Sequence, residues 1–457
     1  MAMVVKNNMS ALSTLNTLNK NTKALSKSLQ KVSSGMKINS AADDASGYAI
    51  SERMRVQIRS LDQANSNAQN GGSMMKVAEG AVSSTVEILK TLKEKAVNAA
   101  NDTNTDADRA TIQKELDQSI DQINDNANVT FNGQYLIDGS KNKQTTATTT
   151  IMTNQNLSAD TNSATVMTDL KARNGDSLNI HSTDTITVSY VQDGKTYTSS
   201  VKLDGTAENS PIGTNATSTM TLGNIISKLT DGKVTIDNGN NATADATKGA
   251  TSFIGVDGSG NSVYTASGES AISISAEHSG VNNQISGFTI SVTDNTGAVN
   301  KSANAALDAF EEQIRAQNKS VDNSIVMQVG TKANQSIKVG LTDMKAQALG
   351  LQGKDGSTLS VGNQDKANAA INVLDAAIQK ALDQQTTIGA VESRLEYTQS
   401  NLTTASENVT AAESVIRDAD MAKEMTEYTK NNVLMQAAQS MLAQANQSSS
   451  NALSLLQ

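Results

Sequence analysis

The sequence contains no cysteine and no tryptophan, and its single proline is Pro211. The absence of cysteine excludes disulfides, thiolate metal sites and cysteine nucleophiles. The scarcity of proline permits long helices, because no pyrrolidine ring removes a backbone donor or kinks the helix. Aromatic residues make up only 2% of the 457 residues, so a core has to be built from aliphatic side chains and the 16 methionines. Such flexible side chains suit long helix seams.

Long apolar runs and excess positive charge are also absent. No stretch of about 18 apolar residues occurs, so we predict no membrane insertion. The formal net charge of -9 argues against nucleic acid as a partner of the whole chain. The apolar segment before Lys6 is too short for a secretory signal, so we expect any export to use another route.

Motifs for catalysis and for cofactor binding are missing. The two histidines, His181 and His278, lie in a region rich in Thr and Gly, and neither belongs to an H-E-x-x-H motif. No glycine-rich phosphate-binding motif occurs. The segment 256–261 resembles a calcium loop but lacks the following bidentate Glu. The sequence therefore predicts no enzyme, no catalytic residue, no metal site and no cofactor.

The N-terminal part, from Met1 to about residue 126, has a helical pattern. Apolar residues recur in steps of three, four or seven over about fifty residues, which corresponds to roughly 75 Å of helix. Such a length exceeds the width of a compact domain and indicates a rod. The predicted rod seam of this part comprises Ile50, Met54, Leu61, Met75, Val82, Leu89 and Leu92.

The C-terminal part repeats this pattern after two strand-like segments, 324–330 and 335–341, which flank a turn. Its seam alternates steps of three and four residues. A further stripe is assigned to Leu434, Ala437, Met441 and Ala445, with Ala438 and Leu442 beside it. The predicted seam residues of this part are Ile388, Val391, Leu395, Leu402, Val409 and Ile416.

Between these helical parts the chain is rich in Thr, Ser, Asn and Gly. Apolar and polar residues alternate on both sides of Asp193-Gly194, which predicts a β-hairpin. The predicted fold class is α+β: a long antiparallel, coiled-coil-like helical rod formed by the N- and C-terminal segments, with short β-hairpins and an inserted β-rich outer domain. We assign residues 1–43 and 420–457 to terminal helices, 44–140 and 303–419 to the rod, and 141–302 to the outer domain.

Both chain ends carry apolar stripes that need a cover. The lysines of the N-terminal stripe also fit an amphipathic membrane-surface helix or an organelle transit peptide, or simply a solvated face. Pairing of the two ends accounts better for both stripes, and apolar residues such as Met9 and Val433 on a second face indicate further partners. A contact of this kind that does not close on itself builds a helical filament. The predicted polymerisation core comprises Leu15, Leu18, Leu25, Leu29, Val32, Leu434, Met441, Leu442, Leu453, Leu455 and Leu456.

Three separated motifs resemble those of bacterial flagellins. They begin SSGMKINSAADDASG at Ser33, FNGQYLIDG at Phe131 and SMLAQANQSSS at Ser440. The resemblance implies a filament subunit that leaves the cell through the flagellar type III apparatus and forms part of the extracellular flagellum. Its implied partners are further copies of itself, an export chaperone, and cap and hook-junction proteins. A hook–filament junction protein or other minor axial protein, and a secreted enzyme or adhesin carried by the central region, remain alternatives.

The resemblance also implies recognition by host immune receptors. The segment from Gln30 to Ile50 looks like the epitope sensed by plants. In flagellins sensed by a Toll-like receptor the rod helix reads roughly LQRVRELAVQ, whereas LKTLKEKAVN stands here, with Thr91 at the arginine position. Threonine cannot replace a long cation, so we predict weakened binding. The corresponding face comprises Lys90, Thr91, Lys93, Glu94, Lys95 and Glu115.

Overall fold

The computed structural model of the chain describes residues 8–203, 220–237, 253–265 and 271–454, so Leu455 and Leu456 of the predicted polymerisation core lie outside the described residues. Helices predominate at both ends of the described chain. They are α1 (Met9–Ser34), α2 (Ala45–Ala99), α3 (Asp106–Ala127), α4 (Leu222–Leu229), α5 (Lys301–Leu307), α6 (Ala346–Leu349), α7 (Gln364–Arg417) and α8 (Met421–Ser454).

Short strands fill the middle of the chain, together with 3-10 turns at Met167–Asp169 and Val281–Asn283. The strands are β1 (Thr130–Phe131), β2 (Gln134–Tyr135), β3 (Ile151–Asn154), β4 (Thr185–Gln192), β5 (Lys195–Lys202), β6 (Val234–Asp237), β7 (Phe253–Val256), β8 (Ser262–Tyr264), β9 (Ile272–Ala276), β10 (Ile285–Thr293), β11 (Phe310–Ile314), β12 (Ile325–Gln328) and β13 (Ser336–Val339). The predicted α+β class, with long terminal helices and small antiparallel sheets, is confirmed.

Local sequence signals set the helix ends. The Asn8 side chain accepts a hydrogen bond from the Ala11 amide at the start of α1, and Gly35 ends the helix in the left-handed region with φ of 69°. At the start of α3, Thr105 and Asp108 form a reciprocal capping box. These caps satisfy amide groups that a free helix end leaves without partners.

The structure divides into two compact units. The first contains the described parts of residues 1–69, 328–336 and 396–457. Within it, α1 packs against α8, and the beginning of α2 packs against the end of α7. Leu61 and Ala64 of α2 form a buried cluster with Leu402 of α7. Arg55 of α2 contacts Glu413 of α7 at 3.3 Å, and this contact together with the Leu61–Leu402 contact shows that the two helix segments run antiparallel.

The second unit contains the described parts of residues 70–327 and 337–395. Among the described residues it holds a three-stranded sheet in the order β10-β4-β5 and a four-stranded sheet in the order β11-β3-β9-β6. A continuous apolar core lies between these sheets and α4 and α5. Phe288 is 1% exposed in this core and meets Phe310 edge to face, with ring centroids 5.1 Å apart.

The hairpin predicted at Asp193-Gly194 is confirmed. Gln192 pairs with Lys195, and the two turn residues have φ of 52° and 71°. Both values lie in the left-handed region, which the Asp-Gly pair tolerates and which matches the twist of the flanking strands. The hairpin predicted from residues 324 to 341 is also present, as β12 and β13.

The four-stranded sheet extends beyond the boundary predicted at residue 302. Strand β11, which follows that boundary, pairs antiparallel with β3, and Phe310 lies opposite Asn154. The sequence could not show this, because the pairing joins segments about 150 residues apart. The sheet therefore does not end at residue 302, and the division into terminal helices, rod and outer domain stays a prediction.

Candidate assembly surface

The first and last described helices form an antiparallel pair with polar contacts along its length. Asparagine amides of each helix reach across to the other, and one ion pair joins their inner ends. Because the bonded residues ascend on α1 as they descend on α8, the direction of pairing is fixed. The contacts are Asn8 Nδ2 to the Ala445 oxygen (3.3 Å), Asn21 Nδ2 to the Leu434 oxygen (3.1 Å), Asn431 Nδ2 to Ser28 Oγ (2.9 Å) and Lys31 Nζ to Glu424 Oε1 (3.4 Å).

The side chains buried between α1 and α8 are small. Ser28, Ala438 and Ala445 are 7%, 4% and 8% exposed, and Leu442 is half-buried. The stripe assigned from the sequence to Leu434, Ala437, Met441 and Ala445 is therefore partly wrong. Steps of four and three through residues 438, 442 and 445 form the paired face. Leu434 and Met441 point away from it.

Large apolar side chains remain exposed on this helix pair. Leu434 and Met441 are 43% and 64% exposed, and Leu15 and Leu29 are 41% and 51% exposed. Isolated exposed apolar residues are common and occur elsewhere in the described chain, but several of them on two paired helices favour an interaction site. Met421 and Met425 near the start of α8 are exposed as well. We call seven of the other exposed apolar side chains on this pair the assembly surface: Met9, Leu12, Leu15, Leu29, Val433, Leu434 and Met441.

The other predicted core residues occupy intermediate positions. Leu18, Leu25 and Val32 on α1 are half-buried, like Leu442. Leu453 lies in the last turn of α8. The structure thus divides the described members of the predicted polymerisation core between the seam of the pair and its outer face, and their role in polymerisation stays a prediction.

The predicted rod-seam residues all lie on α2 and α7, and none of them is exposed. Leu61, Met75, Val82, Leu89, Leu92, Ile388, Leu395 and Leu402 are buried. The remaining members are half-buried: Ile50, Met54, Val391, Val409 and Ile416.

The predicted immune-receptor face lies on α2 and α3 in the second unit. Lys95 Nζ is 2.9 Å from Glu115 Oε2, and Lys93 pairs with Asp375 of α7. The Thr91 hydroxyl donates to the Glu87 backbone oxygen, 3.1 Å away. Lys90 and Glu94 are exposed, and Lys90 pairs with Glu87 at 2.7 Å. Most charges on this face are therefore already paired within the chain.

We searched the described residues for histidine sites, metal-binding groups and membrane-spanning helices. The side chains of His181 and His278 are 75% and 70% exposed. Within the described ranges no group of three or more His, Asp or Glu side chains could hold a metal ion. None of the helices that the structure describes is both long and apolar enough to cross a membrane.

Buried ionisable groups occur in the second unit. Burial raises the pKa of Asp308 to about 6, although its carboxyl group accepts a hydrogen bond from Asn372. Burial also raises the pKa of Glu312 and lowers that of Lys380, which face each other between β11 and α7. Asp308 and Glu312 line a cavity of about 580 Å³. This arrangement joins the sheet to α7.

Two contacts were not foreseen from the sequence. The tip of the β4–β5 hairpin docks on the turn at residues 353–357, where Asp193 Oδ1 accepts from the Lys354 amide at 2.6 Å and Lys195 pairs with Asp355. The hydrogen bond from Lys195 holds the pKa of Asp355 well below its usual range. The second contact is a buried arginine, Arg417, where α7 ends. The sequence shows the Asp193-Gly194 and Asp355-Gly356 turns and the arginine next to the predicted seam. It does not show which residues each of them contacts.

Paired terminal helices with exposed apolar side chains are typical of structural proteins that associate with further copies. The family model for the bacterial flagellin N-terminal helical region matches residues 5–142, and the one for the C-terminal helical region matches residues 371–456. The chain belongs to the bacterial flagellin family. It is therefore a structural subunit of the flagellar filament and not an enzyme.

Relatives match along almost the entire chain. The flagellin of Clostridium tyrobutyricum is 36% identical over 451 residues, which cover 97% of this chain and 99% of that protein. The flagellin of Bacillus subtilis (strain 168) is 29% identical over 474 residues, covering 99% and 100%. Among solved structures, FliC from Burkholderia pseudomallei is 18% identical with a TM-score of 0.25, covering 71% of this chain and 99% of that one.

Proposed function

We propose that the assembly surface is the part of this flagellin that contacts other copies in the filament. The observation that carries the proposal is the exposure of Leu15, Leu29, Leu434 and Met441 on one helix pair. Burying one such side chain contributes roughly 1.5–3 kcal/mol, before the cost of ordering. Repeated along a filament, a few such contacts per subunit are sufficient to hold copies together.

The remaining parts of the function follow from the same family. In this proposal α2, α3 and α7 form the rod, and the β-rich region faces the surroundings. The subunit is exported through the flagellar type III apparatus, with an export chaperone, and meets cap and hook-junction proteins at the extracellular flagellum. The lack of cysteine supports such a route, because a chain that is threaded and then refolded outside forms no wrong disulfides.

Seeded growth of filaments tests the proposal. Purified full-length chain is added to short filament seeds and followed by negative-stain electron microscopy, beside a chain lacking residues 1–37 and 420–457. We expect long filaments from the first and none from the second. Met441→Glu should stop growth as well, because it places a charge on the assembly surface.

A matched control separates the surface from the helix. Gln439 is exposed on α8 but does not belong to the assembly surface, so Gln439→Glu should still elongate. If Met441→Glu elongates as well as Gln439→Glu does, the assembly surface is not the site of polymerisation. If the full chain never elongates, the role of a hook–filament junction or other minor axial protein gains support.

We further propose that a host Toll-like receptor binds this flagellin weakly at the face around Thr91. Two observations support this: Thr91 offers no cation, and the Glu115 carboxylate is engaged by Lys95 at 2.9 Å. Equilibrium binding to the receptor ectodomain should tighten about tenfold or more in the double variant Thr91→Arg with Lys95→Leu. Lys114→Arg on α3 serves as the control for added guanidinium. Unchanged affinity in the double variant would contradict the proposal.

A further inference from the structure

Two chain corners meet in the first unit. One corner is the linker between α1 and α2, and the other is the short link between α7 and α8. The Lys37 amide donates to the Arg417 oxygen at 2.7 Å, and the Ala419 amide donates to the Gly35 oxygen at 2.9 Å. Residues 35–37 and 417–419 thus form a short antiparallel patch, which we call the corner joint, with Met36 opposite Asp418.

The side chain of Arg417 fills the corner joint. It is 6% exposed, and its Nη1 lies 2.6 Å from Glu52 Oε1 and 3.4 Å from Ser51 Oγ of α2. Its guanidinium lies over the Tyr48 ring, 5.4 Å from the centroid. Arginine is suited to this place, since its planar group binds a carboxylate and stacks on a ring at the same time. As the last residue of α7 it also faces the negative end of the helix dipole.

The longer linker is ordered by its own contacts. The Asp43 carboxylate accepts from the Asn39 and Ser40 amides, and Lys27 of α1 reaches Asp43 Oδ1 at 3.3 Å. Ile38 is 3% exposed. A loose hinge would leave such backbone donors to water and its apolar side chains exposed. The corner joint is therefore a built contact between α1, α2, α7 and α8.

We propose that Arg417 is a positioning residue for filament assembly, which fixes the direction in which the α1/α8 pair leaves the α2/α7 pair. The proposal rests on the assembly function proposed above. The assembly surface lies on α1 and α8 alone, and within the first unit these helices are continuous with α2 and α7 only through the two corners. Every copy in a helical filament must present its surface at the same angle. A subunit whose corner is loose has to be ordered at each addition, which weakens binding.

The experiment measures the critical concentration for seeded elongation in full-length variants. Arg417→Gln should raise it about tenfold or more, because it removes the nearest partner of Glu52 and loosens the corner joint. Arg417→Lys keeps the charge but loses the ring contact and should lie between wild type and Arg417→Gln. The charge exchange Arg417→Glu with Glu52→Arg should recover part of the loss, which a role in helix stability alone does not predict.

Arg55→Gln is the matched control. Arg55 lies on α2, pairs with Glu413 of α7 at 3.3 Å and lies 3.8 Å from Glu52, but it touches neither linker. Partly exposed ion pairs of this kind contribute little, so the critical concentration of Arg55→Gln should change less than about twofold. Hydrogen exchange on the filaments should show faster exchange in Arg417→Gln at residues 35–38 and 418–420 and unchanged protection in α2 and α7.

Two results would overturn the proposal. In the first, Arg417→Gln elongates with the critical concentration of Arg55→Gln. In the second, Arg417→Gln loses protection along the whole of α2 and α7, which would make Arg417 a residue of general stability only. Failure of the assembly function itself is recognised separately, since wild-type chain would then not elongate, or Met441→Glu would elongate normally.

Discussion

The α1/α8 pair and the β-rich part of the second unit use apolar side chains in opposite ways. In the β-rich part, Phe288, Ile290 and Val292 of β10 are almost fully buried within one chain. In the helix pair, the buried residues are Ser28 and two alanines, while Leu29 and Met441 stay more than half exposed. One region completes its core within the chain, and the other keeps several large apolar side chains exposed. If those side chains contact other copies, as proposed, stability and assembly should be separable by mutation.

The strongest test of this difference replaces the largest core side chain. Phe288→Ala should destabilise the β-rich part by about 3–5 kcal/mol, because it removes a buried ring and leaves a cavity. Hydrogen exchange of β4 amides measures the loss locally, since one unfolding free energy is not defined for a chain of two units. Tyr397→Ala, which removes a ring that is 74% exposed, is the control and should change protection little. Equal losses in both variants would contradict the comparison.

In the helix pair a comparable truncation should act on assembly alone. Met441→Ala is expected to leave the helical content and the thermal transition of the monomer close to those of wild type, because an exposed side chain is removed. Its critical concentration for elongation should rise by the equivalent of roughly 1.5–3 kcal/mol, the value of one apolar side chain buried against another copy. Circular dichroism of the monomer and sedimentation of filaments check the two parts. If Met441→Ala destabilised the monomer but elongated normally, Met441 would contribute to stability and not to assembly.

The carboxyl group of Asp308, whose pKa is raised, makes the second unit sensitive to pH. Burial raises its pKa to about 6, above the ordinary value of 3.8, so the folded chain binds this proton more tightly than the unfolded chain does. This contribution to stability is fully present below about pH 4 and is lost as the pH rises to about 6. Asp308→Asn should weaken this pH dependence, and by less than a fully buried carboxyl would give, because the residue is partly exposed and water screens its charge. Hydrogen exchange of β10 between pH 4 and pH 7 measures it, with the exposed Asp169→Asn as control.

The smallest expected effect is a difference in helix stability between alanine substitutions at two neighbouring glycines of α2, Gly71 and Gly72. A Cβ at Gly71 would press on the Sδ of Met327, whereas nothing lies within 4 Å of the corresponding position at Gly72. Gly72→Ala should therefore stabilise the helix by about 1 kcal/mol, and Gly71→Ala should gain less, because Met327 has to move. Thermal unfolding followed at the helical band compares the two variants. An equal gain would show that Met327 adapts without cost.

Features with a local cause were predictable from the sequence. Helical periodicity placed α2 and α7, and the Asp193-Gly194 pair placed the β4–β5 hairpin, because spacing and turn chemistry act over a few residues. The paired face of α8 was not predictable with certainty. Two sets of α8 residues follow helical spacing: 434 with 441, and 438 with 442 and 445. Only the contact with α1 shows that the second set forms the paired face.

Contacts between distant segments required the structure. The pairing of β11 with β3 and the binding of Glu52 by Arg417 join residues that lie far apart in the chain. No local rule selects such a partner, since many strands and many carboxylates were available. The candidate assembly surface was predictable as a set of apolar residues on the two ends, but its division into a paired face and an exposed face was not.

The pairing of the first and last described helices also joins segments that are made at very different times during synthesis. Asn8 contacts Ala445, although the two residues lie 437 positions apart in the sequence. A product of interrupted synthesis that ended before Met421 would have the whole β-rich part but no α8. Its α1 would have no partner, and half of the assembly surface would be missing. If the assembly surface works as proposed, only copies that carry α8 could enter the polymer.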